Sequence, residues 1–306
     1  MACRDKSLLI SLIHKLKGTV NMRILNLSGE MLRSFENNHF SMDGWKSYMD
    51  DSIPGAKELC LQDMQETINA GFSWENAFLP LLNSVLLDAD KRNQTIESFC
   101  SITKSLNKRI IEKFQRDVDA DLILYLGLCN GAGWVTSING KPAVLFGIEK
   151  IMELHWYDKD SMTGLVFHEL GHVYQDQYGV LHREFEVPAD EFLWQLFTEG
   201  IAMVFEQELV GDPEYFYQDH HGWKQWCDQN IDLIRQTFSM DMNSMTHENQ
   251  RYFGDWVSFN GYGNTGYYLG ARFVRFLLGY DLFDRLILYG IQEVKAGFEH
   301  FLKSSL

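Results

Sequence analysis

Between residues 58 and 114 the apolar positions recur every three to four residues. Leu59, Met64 and Ile68 do so over Glu58–Ala70, and Trp74–Leu87 has the same texture. Ile96, Phe99, Leu106, Ile110 and Phe114 form one stripe within Gln94–Phe114. This period predicts helices with one face turned to a core. The texture changes at Asp121. Leu122-Ile123-Leu124-Tyr125-Leu126 is a short apolar run, followed by Gly127, Gly131 and Gly133. Trp134–Ile138 and Ala143–Gly147 are further strand-like runs, joined by Asn139-Gly140, a dipeptide suited to a tight hairpin turn. From Ser161 the helical period returns. Asp160 or Ser161 suits the start of that helix and Gly179 its end. Pro188 suits the first turn of a second helix reaching about Leu209, with Asp190 and Glu191 facing its dipole. The rest reads as helical with aromatic-rich loops, including a helix over Ala271–Leu278 after one such loop. The prediction is a mainly helical α+β protein with a helical N-terminal region over 1–118. Residues 119–306 follow, with a small sheet at 121–148, helices at 161–178 and 188–209, and a helical C-terminal half.

Composition narrows the function classes. A chain of 306 residues, 45% hydrophobic, can bury one large core or two smaller ones. The formal charge of −15 repels phosphate backbones and anionic lipid, so neither nucleic acid nor a membrane is the expected partner. The five cysteines (Cys3, Cys60, Cys100, Cys129 and Cys227) are widely spaced, with no C-x-x-C. They read as free thiols in a reducing compartment. The apolar run Leu8–Ile13 is too short to span a bilayer and is not followed by a small-residue cleavage site, so a cytoplasmic protein is expected. The glycine-rich stretch 127–133 has neither phosphate-binding pattern, G-x-x-x-x-G-K-[ST] or G-x-G-x-x-G.

Candidate chemistry is concentrated in His168-Glu169-Leu170-Gly171-His172, an H-E-x-x-H sequence. On a helix, His168 and His172 lie one above the other and can reach one metal ion, with Glu169 beside them to hold a water. Leu165, Val166, Phe167, Leu170 and Val173 make the segment apolar, and buried polar groups there need partners. The longer pattern H-E-x-x-H-x-x-G-x-x-H fails, because Gln175 and Tyr178 stand where Gly and His are required. Two carboxylates compete as third ligand. Glu191 follows His172 after a gap of 18 residues, and Glu199 comes eight residues later. A separation of eight residues turns a helix by about 80°, so one metal takes one of them. Glu199 shares an inward stripe with Phe192, Leu196 and Met203, whereas Glu191 faces the dipole of the first turn. Asp176 and Asp190 are candidates to orient the histidines.

H-E-x-x-H followed by a helix bearing Glu199-Gly200-Ile201-Ala202, an E-G-x-A segment, resembles the gluzincins, the thermolysin- and aminopeptidase N-like zinc peptidases. It also resembles uncharacterised families of predicted zinc-dependent proteases. As an order of features the resemblance spans about residues 120–280. It implies a zincin-like catalytic domain over 119–306, one Zn2+ per chain held by His168, His172 and Glu199, and hydrolysis of a peptide or protein substrate. Glu169 is the expected general base. Gluzincins often add a tyrosine or histidine that donates to the oxyanion, and Tyr268 or Tyr267, in Gly261–Gly270, is the expected donor. An edge strand, Ala143–Gly147 or Trp134–Ile138, would pair with the substrate backbone. Glu186–Phe192 also resembles the region after H-E-x-x-H in phage-repressor-cleaving metallopeptidases, where an acidic residue binds zinc. Two alternatives therefore stand beside a general peptidase. One is a non-catalytic zinc protein with a fourth ligand such as His182. The other is a regulatory protease with one dedicated target, marked by Glu186 or Glu191 at the metal.

Overall fold

The computed structural model describes residues 22–254 and 256–304. Cys3 and the run Leu8–Ile13 lie outside the described residues. Strand β1 (Arg23–Asn26) comes first, then the short hairpin β2 (Phe35–Glu36) and β3 (His39–Phe40). Helices α1 (Met42–Ser52), α2 (Lys57–Asn69), α3 (Leu79–Leu87), α4 (Ala89–Thr103) and α5 (Leu106–Phe114) follow. The chain then forms β4 (Asp121–Tyr125), β5 (Trp134–Ile138) and β6 (Lys141–Gly147). The remaining helices are α6 (Ile148–Glu153), α7 (Lys159–Tyr178), α8 (Pro188–Val210), α9 (Trp223–Gln229), α10 (Ile231–Asp241), α11 (Thr265–Leu277), α12 (Phe283–Leu286) and α13 (Ile291–Lys303). The protein is mainly helical α+β, as its sequence predicts. No helix among the described residues is long and apolar enough to cross a membrane.

The sheet runs β1-β4-β6-β5. β4 pairs in parallel with β1 and with β6, and all five of its residues are buried, which suits a central strand with an unbroken apolar run. β5 pairs antiparallel to β6 and forms an outer edge. The turn between them uses Asn139 at φ 52° and Gly140 at φ 78°, the left-handed pair that a two-residue hairpin requires. β1 was not expected within the helical N-terminal region. Its partner is remote in sequence: Arg23 stands opposite Asp121. The regions before and after residue 118 also share one core. Met31, Trp45 and Tyr48 belong to the same buried cluster as Phe146, Phe167 and Phe205, and the Trp45 indole donates to the Leu126 carbonyl at 2.9 Å.

Some joints differ from the sequence expectation. The stripe over Gln94–Phe114 is carried by two helices, because Ser105 leaves helical geometry (φ −127°, ψ 18°). The start of α7 is capped by Asp158, which accepts from the amides of Asp160 and Ser161, rather than by either of those residues. The glycine-rich segment before Ala271 is partly helical, since α11 begins at Thr265. Its Gly270 serves packing instead of a turn: a Cβ there would stand 2.6 Å from the Leu196 carbonyl and 2.9 Å from the Gly200 nitrogen of α8. On the other side of α8, a Cβ at Gly171 would stand 2.7 Å from the Ala202 Cα. Helices α7, α8 and α11 therefore touch backbone to backbone, and this closeness brings short side chains from α7 and α8 to one point.

Candidate metal centre

His168 and His172 project from the middle of α7, one turn apart, and Glu199 faces them from α8. Glu199 Oε2 is 3.1 Å from His168 Nε2 and 3.3 Å from His172 Nε2. The ligand atoms of all three residues lie within 4.8 Å of one another, the one such set among the described residues. At zinc–ligand distances of about 2.1 Å a tetrahedral site has edges of about 3.4 Å, so this donor set fits zinc in spacing and in chemistry. His168 is buried, and His172 and Glu199 are half-buried. Burial works to lower the basicity of His168, but the hydrogen bond to Glu199 and the nearby Glu206 carboxyl outweigh it and raise the pKa to about 10. Burial would raise the Glu199 pKa, but the charges and hydrogen bonds of His172 and His168 outweigh it and hold the carboxyl well below the usual range.

The structure separates the competing carboxylates. Glu191 sits 3.1 Å from His247 Nε2, away from the cluster, and Glu186 is exposed. His182 is exposed and lies 3.8 Å from Asp176. Among the described residues no fourth metal-binding side chain joins the set of three.

Glu169 is half-buried beside the ligands. It is backed by Gly133, the residue before β5, where a Cβ would stand 2.5 Å from Glu169 Oε1. Burial raises the Glu169 pKa; the charges of His168 and His172 oppose this and that of Glu199 adds to it. Of the two tyrosines expected as donors, Tyr267 packs its ring edge-on against His168, with centroids 5.6 Å apart. Tyr268 is turned elsewhere: its hydroxyl donates to Asp228 at 2.7 Å, and the Arg272 guanidinium lies over its ring. Neighbouring residues on a helix point about 100° apart, so α11 presents only one of this pair to α7.

Two residues at the centre were missed in sequence. Glu206 is fully buried and its Oε2 lies 3.7 Å from His168 Nδ1. Neither Glu206 oxygen has a hydrogen-bond partner, and His168 Nδ1 has none either. Burial pushes the Glu206 carboxyl up to about 7, against the pull of His168. This is where a metal-binding histidine finds a carboxylate for its second nitrogen. Asp176 and Asp190 do not fill that role: Asp176 faces His182, and Asp190 pairs with Lys295 at 2.6 Å. The signal for Glu206 was its spacing, seven residues after Glu199 and so on the same helix face. The second residue is Tyr217, in the connection from α8 to α9. Its ring rests on Gly164 of α7, one turn before His168, where a side chain would collide with it. Burial raises the Tyr217 phenol far above its ordinary pKa, and the charges of Glu206, Tyr267, Glu169 and Glu199 add to the shift. No sequence pattern marks Tyr217, because a loop residue has no period. Compared with protein-family models, curated proteins and solved structures, the chain gave no match in any of the three.

Proposed function

We propose that this chain is a zinc-dependent peptidase of the gluzincin type, acting on a peptide or protein substrate. The observation that carries the reading is the meeting of His168, His172 and Glu199 beside Glu169, with no fourth protein ligand among the described residues. Three protein ligands leave a coordination position for water, as in catalytic rather than structural zinc sites. Bound there, zinc would supply Lewis-acid chemistry, activating water and polarising a carbonyl.

The chain's own residues do the rest. Glu169 takes the proton of the attacking water and delivers it to the leaving amine, a role suited to a carboxyl whose basicity is raised by burial. Glu206, whose Oε2 stands 3.7 Å from Nδ1, is placed to orient the His168 ring and would accept from Nδ1 after a shift of about half an ångström. Tyr267, whose ring packs on His168, and Tyr217, whose ring packs on Gly164 one turn earlier, are the candidate donors to a developing oxyanion. The substrate backbone runs along β5. β6 has partners on both sides, whereas β5 has an open edge and packs against α7. Trp134–Ile138 therefore supports substrate pairing, and Ala143–Gly147 does not.

The test is Glu169→Gln, which keeps the shape of the side chain and removes the base. It is expected to retain about one zinc per chain and to lose roughly 10²–10⁴-fold in peptide cleavage rate. Undiminished cleavage in that variant contradicts the assignment.

A further inference from the structure

The segment from Gly127 to Gly133 arches from the end of β4 to the start of β5, and it is tied down from two sides. On the inner side stands Glu149, in the first turn of α6 and fully buried. Its Oε2 accepts from the Gly127 amide at 3.0 Å and its Oε1 from the Cys129 amide at 3.1 Å. Between them the backbone turns sharply, with Cys129 at φ 61°, a left-handed conformation costly for a residue with a side chain. On the outer side Asn130 accepts from the Leu128 amide at 3.0 Å. It also donates to the Cys60 carbonyl at 2.9 Å and to Asp63 at 2.8 Å, both on α2. The arch ends at Gly133, whose Cα lies against the Glu169 carboxylate. A buried carboxylate is a costly way to hold a loop, since its charge loses hydration that two amides replace only in part. The arch it holds leads directly to the residue expected to act as general base.

We infer that Glu149 is a positioning residue for the proposed reaction: by clamping the Gly127 and Cys129 amides it fixes the arch, and through Gly133 it fixes where the Glu169 carboxylate stands beside His168 and His172. The inference rests on the peptidase reading. Proton transfer requires heavy atoms within about 2.6–3.2 Å, and a displacement of about 1 Å can cost on the order of 100-fold in rate. Loosening the arch should therefore lower turnover without emptying the metal centre or weakening substrate binding.

Glu149→Gln keeps the size of the side chain but turns one acceptor oxygen into an amide that repels one of the two backbone N–H groups. Four quantities are compared with wild type: zinc per chain, hydrogen exchange at Gly127 and Cys129, and kcat and KM on a quenched-fluorescent peptide that wild type cleaves. The expected result is about one zinc per chain, faster exchange in the arch, KM within about twofold, and kcat lower by roughly 10–100-fold. Faster exchange with kcat per zinc-loaded chain unchanged overturns the inference, and so does unchanged exchange. Should Glu149→Gln not fold, Asn130→Ala loosens the arch from its other side. The same split between kcat and KM is expected, and an unchanged kcat overturns the proposal. Wild type that binds no zinc, or that binds zinc and cleaves no peptide in a library, defeats the peptidase reading and this inference with it. Active, zinc-loaded wild type with unaltered variants defeats the inference alone.

Discussion

Glu206 has no exposure and no hydrogen bond, an environment that disfavours a carboxylate by several kcal/mol or raises its pKa. In the proposed site its partner is His168. A metal held by Nε2 would leave the ring proton on Nδ1, the nitrogen that faces Glu206 across 3.7 Å. Replacing Glu206 with Gln is then expected to weaken zinc binding by roughly 10–100-fold, read by competition with a chelator of known affinity. Equal affinity in Glu206→Gln and wild type would mean that the carboxylate does nothing for the metal. Glu199 and Glu206 also show what a helix can announce in sequence: the candidate ligand and the carboxylate behind His168 fall on one face at a separation of seven residues. Helix phase favours Glu199 over Glu191 in the sequence; in the structure Glu199 faces the two histidines and Glu191 is turned to His247.

At the scale of elements, the E-G-x-A segment serves three contacts in four residues. Glu199 meets the two histidines, Gly200 admits α11 at Gly270, and Ala202 admits α7 at Gly171. Helix propensity and close packing make opposite predictions for Gly200→Ala. In an exposed helix interior the change would stabilise by about 1 kcal/mol. Against the Gly270 backbone, over-packing should instead destabilise by about 1–3 kcal/mol, measured by urea unfolding. A more stable Gly200→Ala protein would remove the close crossing from the account. The same crossing explains why α11 was read short. Glycines that serve interhelical contact look like loop glycines when only local periodicity is visible. The helices around α7 and α8 and the strands from Asp121 to Gly147 were legible because each carries its own period or turn dipeptide. β1 was not, because a four-residue strand is defined by a partner about a hundred residues away.

Across the whole molecule, the region before residue 118 is tied into the sheet by β1 and into the core by Trp45 and Tyr48, and α2 holds the arch that ends beside Glu169. Glu169, the cluster of His168, His172 and Glu199, and the outer edge of β5 therefore depend on parts drawn from most of the described chain. The sequence made the mainly helical α+β class legible. It could not show that the glycine-rich segment between β4 and β5 backs the Glu169 carboxylate, because that contact spans layers and leaves no local pattern. Everything functional in the account depends on a metal held by His168, His172 and Glu199. The most direct test is the zinc content per chain of purified wild type, Glu199→Ala and Glu191→Ala after equilibration with zinc at micromolar excess and gel filtration. The account predicts about one zinc per chain in wild type and in Glu191→Ala, and a large loss in Glu199→Ala, which removes one of three protein ligands. A wild type without zinc, or a Glu199→Ala protein that holds zinc as tightly as wild type, would contradict it.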